Sequence, residues 1–425
     1  MKTWLIPWDV PALAAVLLVL GVAIYVFARW RQAPTAFRAM NTVAVACFAA
    51  GFLAGLWTLH LAGAWIAPTT PPAGETPSSA PSSLASPPPL ISSEPKATEA
   101  GVTARSTRPV EKAIFVANRE IVTAYSVGSN GNVIPLAIIS GPATSLSEPS
   151  GITVDDHGYI YVVNHSGFGA KTSINVYPPG ANGEVSPTRT IAGPATDLHE
   201  PTGIALDTAG NIYVTNGLEI GSSIYLPGDG DVAVYPAGSN GNVEPIARII
   251  GRDYVNNAPH YWIYRPVALA LDNRGFLYVL NGGDEGVAKF PANSNGKTPP
   301  LIQIAGPLTA LVSAVGIAVG ARGNIFIVDS QANAVMEYAA DSRGNKAPIA
   351  TIAGPSTGLS QPKGIAIDDV GNIYVTNRTG YQSGSVTVYS PGHYGNVVPK
   401  ATISGPFTEL SDPWGIAVGR IVSER

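Results

Sequence analysis

Cysteine is almost absent from this chain. Among 425 residues only Cys47 is one, which excludes an internal disulfide framework and any Cys-x-x-Cys metal site. Charge is scarce as well: Asp, Glu, Lys and Arg make up 13% of the sequence and the formal net charge is −4. No block of basic residues is present, so no nucleic-acid partner is expected. Aromatic residues are missing from one entire stretch, 67–109. That stretch is rich in Pro, Ser and Thr and cannot bury enough apolar surface to offset its ordering entropy. It is expected to be a disordered linker whose prolines favour extended segments; at ~3.1 Å per residue its reach is at most roughly 130 Å.

Charged residues are missing altogether from two runs near the start, "VPALAAVLLVLGVAIYVFA" (10–28) and "NTVAVACFAAGFLAGLWTLHLAGAWI" (41–66). Each is long enough to cross a bilayer as a helix. The segment between them carries Arg29, Arg31 and Arg38, whereas only Lys2 precedes the first run and no Lys or Arg follows the second until Lys96. The positive-inside bias then predicts a transmembrane hairpin over 1–66 with its short loop in the cytoplasm, leaving the rest of the chain on the extracytoplasmic side. A cleaved signal peptide is the rival for the first run.

What the chain has in abundance is repetition. "GITVDDHGYIYVVN" begins at 151, "GIALDTAGNIYVTN" at 203, "ALALDNRGFLYVLN" at 268, "GIAVGARGNIFIVD" at 316, "GIAIDDVGNIYVTN" at 364 and "GIAVGR" at 415. The spacing of about 50 residues suits one supersecondary unit per repeat. Each unit reads as four short strands, with a D-x-x-G turn after the first and an Asn-Gly tip after the third. Side-by-side four-stranded units are propeller blades. Small residues on one side of the first strand, such as Gly203 and Ala205, suit an innermost strand where blades converge. The ends imply closure. The chain stops after one inner strand, and "AIFVAN" (113–118) opens a blade that lacks its first strand. The C-terminal strand is expected to complete the N-terminal blade, giving an all-β, six-bladed propeller over 110–425 with no bare edges.

These residues resemble bacterial NHL and YVTN-type propeller repeats, a group related in fold to gluconolactonase-like propellers. The resemblance spans about 113–420. It implies a ligand- or protein-binding propeller and, less often, a lactonase or lyase. The Pro-His-Gly-Ile motif of streptogramin-lyase-like propellers is replaced, with Ser150, Thr202, Val267, Val315, Lys363 and Trp414 at the histidine's place. That argues against lyase chemistry.

Candidate site residues follow from strand order. The connection from strand two to three and that from strand four to the next strand one share one face. There strand two ends in Asn118, Asn164, Asn216, Asn281, Asp329 and Asn377. Such a ring either orients a sugar, a peptide or a calcium ion, or caps the turns that follow the strands. Asp329 is its only carboxylate, with Glu219, Asp284 and Glu285 in nearby loops. Lys363 and Trp414 are neighbours around the ring and differ from the residues of other blades. The connection between blades 2 and 3, "GRDYVNNAPHYWIYRP" (251–266), is seven residues longer than the nine-residue form and brings Tyr254, His260, Tyr261, Trp262 and Tyr264. Aromatics on a long loop either stack on a ligand or cap the mouth. His165 joins the same face, yet no nucleophile–base spacing or metal motif links these groups. The expected function is a non-catalytic module for a glycan, peptide or envelope protein, without a cofactor; a metal-dependent, lactonase-like hydrolase and a purely structural domain are the alternatives.

Overall fold

Six four-stranded antiparallel sheets stand side by side and close into a ring. We describe them from a computed structural model covering residues 111–421 apart from 166–171, 218–229, 256–257, 283–285 and 381–382. The expected hairpin (1–66) and linker (67–109) lie outside the described residues, as do Glu219, Asp284 and Glu285. Among the described residues no helix is long and apolar enough to cross a membrane.

Blade 1 runs from its inner strand Pro149–Val154 through Ile160–Asn164 and Ser173–Tyr177 to the outer strand Arg189–Ile191. Blades 2 to 5 repeat this order, with inner strands Pro201–Leu206, Pro266–Leu271, Ala314–Val319 and Pro362–Ile367. Blade 6 joins the two ends of the propeller. The inner strand Pro413–Ile421 pairs antiparallel with Glu111–Asn118, followed by Ile121–Ser126 and Ala137–Ile139. Non-covalent pairing thus closes the ring and leaves no unpaired inner strand.

The hydrophobic core is divided into six clusters, one at each contact between adjacent blades. Blades 1 and 2, for example, bury Val163, Ile174, Ile204, Val214 and Tyr235 together. A blade is covered on both faces, so its two middle strands are buried along their whole length, as in Ile160–Asn164 and Ser173–Tyr177. Continuous apolar runs rather than strict alternation follow from that placement.

Three polar devices hold the repeat. The Asp of the D-x-x-G turn accepts backbone N–H bonds, with Asp155 taking His157 and Tyr159 and Asp207 taking Ala209 and Asn211. The connection from blade to blade begins with a Gly-Pro-x-Thr turn. Its glycine needs a positive φ, 124° at Gly193, and its threonine hydroxyl donates back to the glycine carbonyl. A tyrosine at the end of strand three reaches into this turn: Tyr177, Tyr235, Tyr338 and Tyr389 donate at 2.6 Å to the carbonyls of Thr144, Thr196, Thr309 and Thr357, and Tyr125 also donates to the Thr408 carbonyl.

The Asn-Gly tips differ from expectation. Only the glycines take positive φ, as at Gly131, Gly183 and Gly241, so these are not tight hairpin turns with two left-handed residues. The tip instead crosses to the preceding blade's outer strand. Asn130 accepts from Thr402 N–H, Asn182 from Ile138 and Asn240 from Thr190. A second side chain, Asn132, Glu184 or Asn242, accepts from the next Gly-Pro-x-Thr turn at Phe407, Ala143 or Ala195. The asparagines are inter-blade latches.

Candidate functional site

At the inner end of every blade the strand begins with a kink. The Pro position pairs with the Asn or Asp of strand two, and the register then shifts before the strand body, as between Pro149 and Gly151 or Pro362 and Ile365. The same shift recurs in all six blades, including blade 4, where Ala314 replaces proline. A bulge re-aims the side chain it contains. It turns Ser150, Thr202, Val267, Val315, Lys363 and Trp414 to a common central cavity of about 600 Å³.

The following glycine allows the blades to meet. A Cβ on Gly364 would lie 2.4 Å from the Trp414 carbonyl, and one on Gly415 would lie 2.5 Å from that of Ser150. The next residue supplies the floor: Ile152, Ile204, Ile317, Ile365 and Ile416 line the same cavity.

One half of the mouth is charged. Lys363 Nζ lies 5.1 Å from the centre of the Trp414 ring, a cation–π arrangement, and the indole is 44% exposed. Arg378 Nε sits 2.8 Å from Asp412 Oδ1 in an ion pair, although the two are not aligned as a hydrogen bond. Burial, and then the Arg378 guanidinium, push the Lys363 ammonium below the usual lysine range, with Asp412 pulling the other way. Arg119, Glu148 and His165 complete this side, and the buried His165 Nδ1 has no hydrogen-bond partner among the described residues.

The ring of strand-two ends does not face the cavity. Asn118, Asn164, Asn216, Asn281, Asp329 and Asn377 are 0–4% exposed. Five of them reach under the blade-to-blade connections, whereas Asn118 donates to Val116 O and Thr123 Oγ1 within its own blade. Asn164 accepts from Ser147 N–H and donates to the Ser145 carbonyl; Asn281 does the same with Tyr264 N–H and the Trp262 carbonyl. The Asp329 carboxylate accepts four backbone N–H bonds, from Val312, Ser313, Gln331 and Ala332, which occupies the lone pairs a calcium ion would need. Among the described residues no group of three or more His, Cys, Asp and Glu side chains is placed to hold a metal ion. A buried amide next to unpaired main-chain groups satisfies them first, which is the physical reason these residues carry loops.

The long connection between blades 2 and 3 forms a two-stranded hairpin, Arg252–Val255 with Ala258–Tyr261. The side chains of Tyr254 and His260 lie outside the described ones. Tyr261 and Trp262 do not line the central cavity. Trp262 packs on the blade 2–3 core beside the fully buried Ile263, and Tyr261 meets Tyr264 edge to face at 5.9 Å. This connection has no Gly-Pro-x-Thr turn, and the residue meeting it is Phe290, where five blades have the latching tyrosine.

Lys363 and Trp414, singled out from the sequence, both line the cavity, and three residues the sequence reading did not name stand with them. Arg119 and Arg378 directly follow Asn118 and Asn377, as His165 follows Asn164. The position after the buried asparagine, not the asparagine, reaches the mouth. Thr376 is the third. Its hydroxyl accepts from Gly364 N–H and donates to the Trp414 carbonyl, both at 2.8 Å, tying together the two bulges that present Lys363 and Trp414. Its signal in the sequence is a Thr before the final Asn of strand two, found only in blades 2 and 5.

The geometry defines a six-bladed β-propeller with an open, asymmetric mouth. In agreement, residues 350–380 match the family model described as a beta-propeller repeat, a stretch running from the outer strand of blade 4 into blade 5. No curated protein matches the chain. Among solved structures it is similar to a protein of unknown function from Bacteroides caccae, at 10% identity and a TM-score of 0.48 over 73% of this chain and 98% of that one. It is also similar to the WD40 β-propeller domain of Doa1, at 12% identity and a TM-score of 0.44 over 72% and 82% of the two chains. A luciferin-regenerating enzyme stands at 15% identity and a TM-score of 0.43 over 69% and 92%.

Proposed function

We propose that this protein is a non-catalytic binding module that takes its ligand at the mouth, on the side formed by blades 5, 6 and 1. The partner class is a glycan, a peptide or an envelope protein. The supporting observation is the break in six-fold repetition at equivalent bulges. Small or aliphatic residues occupy four of them, while Lys363 and Trp414 stand side by side in the other two, over an open cavity of about 600 Å³. A concave site with apolar walls and a few convergent polar groups is the usual form of a ligand pocket. The rigid latches beneath it suit a fixed recognition surface rather than a moving one. In the same reading, the two apolar runs and the Pro-rich linker hold the propeller outside the cytoplasmic membrane.

The test is a thermal melt of the full chain against a panel of oligosaccharides and peptides. A ligand that binds only the native state raises the melting temperature. The expected result is a ligand whose effect disappears in Trp414→Ala and Lys363→Ala. Retention of every ligand effect in the double variant would overturn the proposal.

A further inference from the structure

We infer that the ligand of this mouth carries a carboxylate on an apolar body, the carboxylate meeting Lys363 and Arg119 and the apolar part entering the isoleucine-lined floor. The inference rests on the binding reading above and narrows it.

Three observations lead there. First, the Lys363 ammonium is half-buried and has no carboxylate within ion-pair distance among the described residues; the nearby Asp412 is already paired with Arg378. A desolvated cation without a counter-ion is costly, and an anion entering from solvent relieves that cost. The indole under it is a partial substitute only. Second, Arg119 lines the same cavity and is exposed, with no ion pair or hydrogen bond among the described residues, so a second donor is available. Third, the cavity is amphipathic. Below the cationic rim, the equivalent isoleucines of five blades each keep 6–7% of their surface open. Their aliphatic ring offers nothing to hydroxyl groups, whereas an alkyl or aromatic group gains by leaving water there.

The Ser150 and Thr202 hydroxyls, at the bulges of blades 1 and 2, are engaged, with the carbonyl of Pro201 in one case and with Thr215 in the other. A neutral sugar therefore meets engaged hydroxyls at these two bulges and gains nothing from the charge of Lys363 and Arg119, and an amphipathic acid fits better. Two sources share this chemistry: the C-terminus of a peptide ending in a large apolar residue, and a free arylalkanoic acid.

The experiment is calorimetric titration of the full chain with N-acetyl-leucyl-phenylalanine, with the same dipeptide as its C-terminal amide, and with phenylpropionate. The expected result is binding of the free-acid dipeptide at least about tenfold tighter than its amide, as loss of a charge-assisted contact implies. Lys363→Gln should weaken the acid by about tenfold and leave the amide unchanged. The acid–amide comparison needs no variant, so it stands even if Lys363→Gln fails to fold. Tighter binding of the dipeptide than of phenylpropionate assigns a peptide C-terminus, and the reverse assigns a small acid. Equal affinity for acid and amide, or no binding of either acid, overturns the inference. If a neutral glycan bound instead through Trp414, this inference would fail and the binding-module reading would survive.

Discussion

Removing one hydroxyl from the inter-blade latch and adding one where the latch is missing should both destabilise the propeller. Tyr389 is fully buried and donates at 2.6 Å to the carbonyl of Thr357, itself buried in the turn that enters blade 5. Tyr389→Phe keeps the ring and its packing. It deletes the bond and leaves a buried carbonyl without its partner, at a cost of about 1–3 kcal/mol. Blade 3 supplies the reverse change. There Phe290 packs in one cluster with Ile263 of the unusual connection, both fully buried. Phe290→Tyr places a hydroxyl against aliphatic surface and should cost about 1–3 kcal/mol for burying an unpaired polar group. Urea denaturation of each variant, followed by tryptophan fluorescence, measures both. At roughly 2–4 °C per kcal/mol for a domain of this size, a thermal melt resolves them too. The reasoning fails if Tyr389→Phe is neutral, or if Phe290→Tyr stabilises the fold. The first result would mean that the tyrosine serves only as a ring and that its pairing with the turn is incidental; the second would mean that the blade 3 connection offers the added hydroxyl a partner.

Thr376→Val keeps the side-chain shape but leaves Gly364 N–H and the Trp414 carbonyl unpaired; an expected loss of about 1–3 kcal/mol should be accompanied by weaker ligand binding, since both bulges of the mouth lose their tie. The alkaline limb of stability should be steep. Burial holds the Tyr177 and Tyr389 hydroxyls protonated up to about 12, whereas an unfolded tyrosine titrates near about 10. The folded state then keeps protons that the unfolded state releases. Their contribution is complete below pH about 10 and is lost as pH rises towards about 12, on the order of 2–3 kcal/mol for each. Ultraviolet titration of tyrosinate alongside a melting series checks this, and full ionisation near pH 10 without unfolding would contradict it.

The sequence by itself determined the repeat, the number of blades and the closure by a shared blade. A 50-residue period with an orphan inner strand at one end and a blade lacking that strand at the other admits one economical ring. It also marked Lys363 and Trp414, because a residue that departs from its siblings in an otherwise shared frame is visible without coordinates. Tertiary structure decided what the shared letters do. Asn216 and Asn377 recur as conspicuously as any binding motif, yet they serve the connection above them, because a buried amide meets unpaired backbone groups before it can meet a ligand. Trp262 has the same history: its aromatic neighbours suggested a ligand platform, and the core between blades 2 and 3 took it. Arg119 and Arg378 stayed hidden because a one-residue step past the buried asparagine reverses the direction of a side chain. Only the bulges and the closing of six blades on one axis bring them to the same mouth as Lys363.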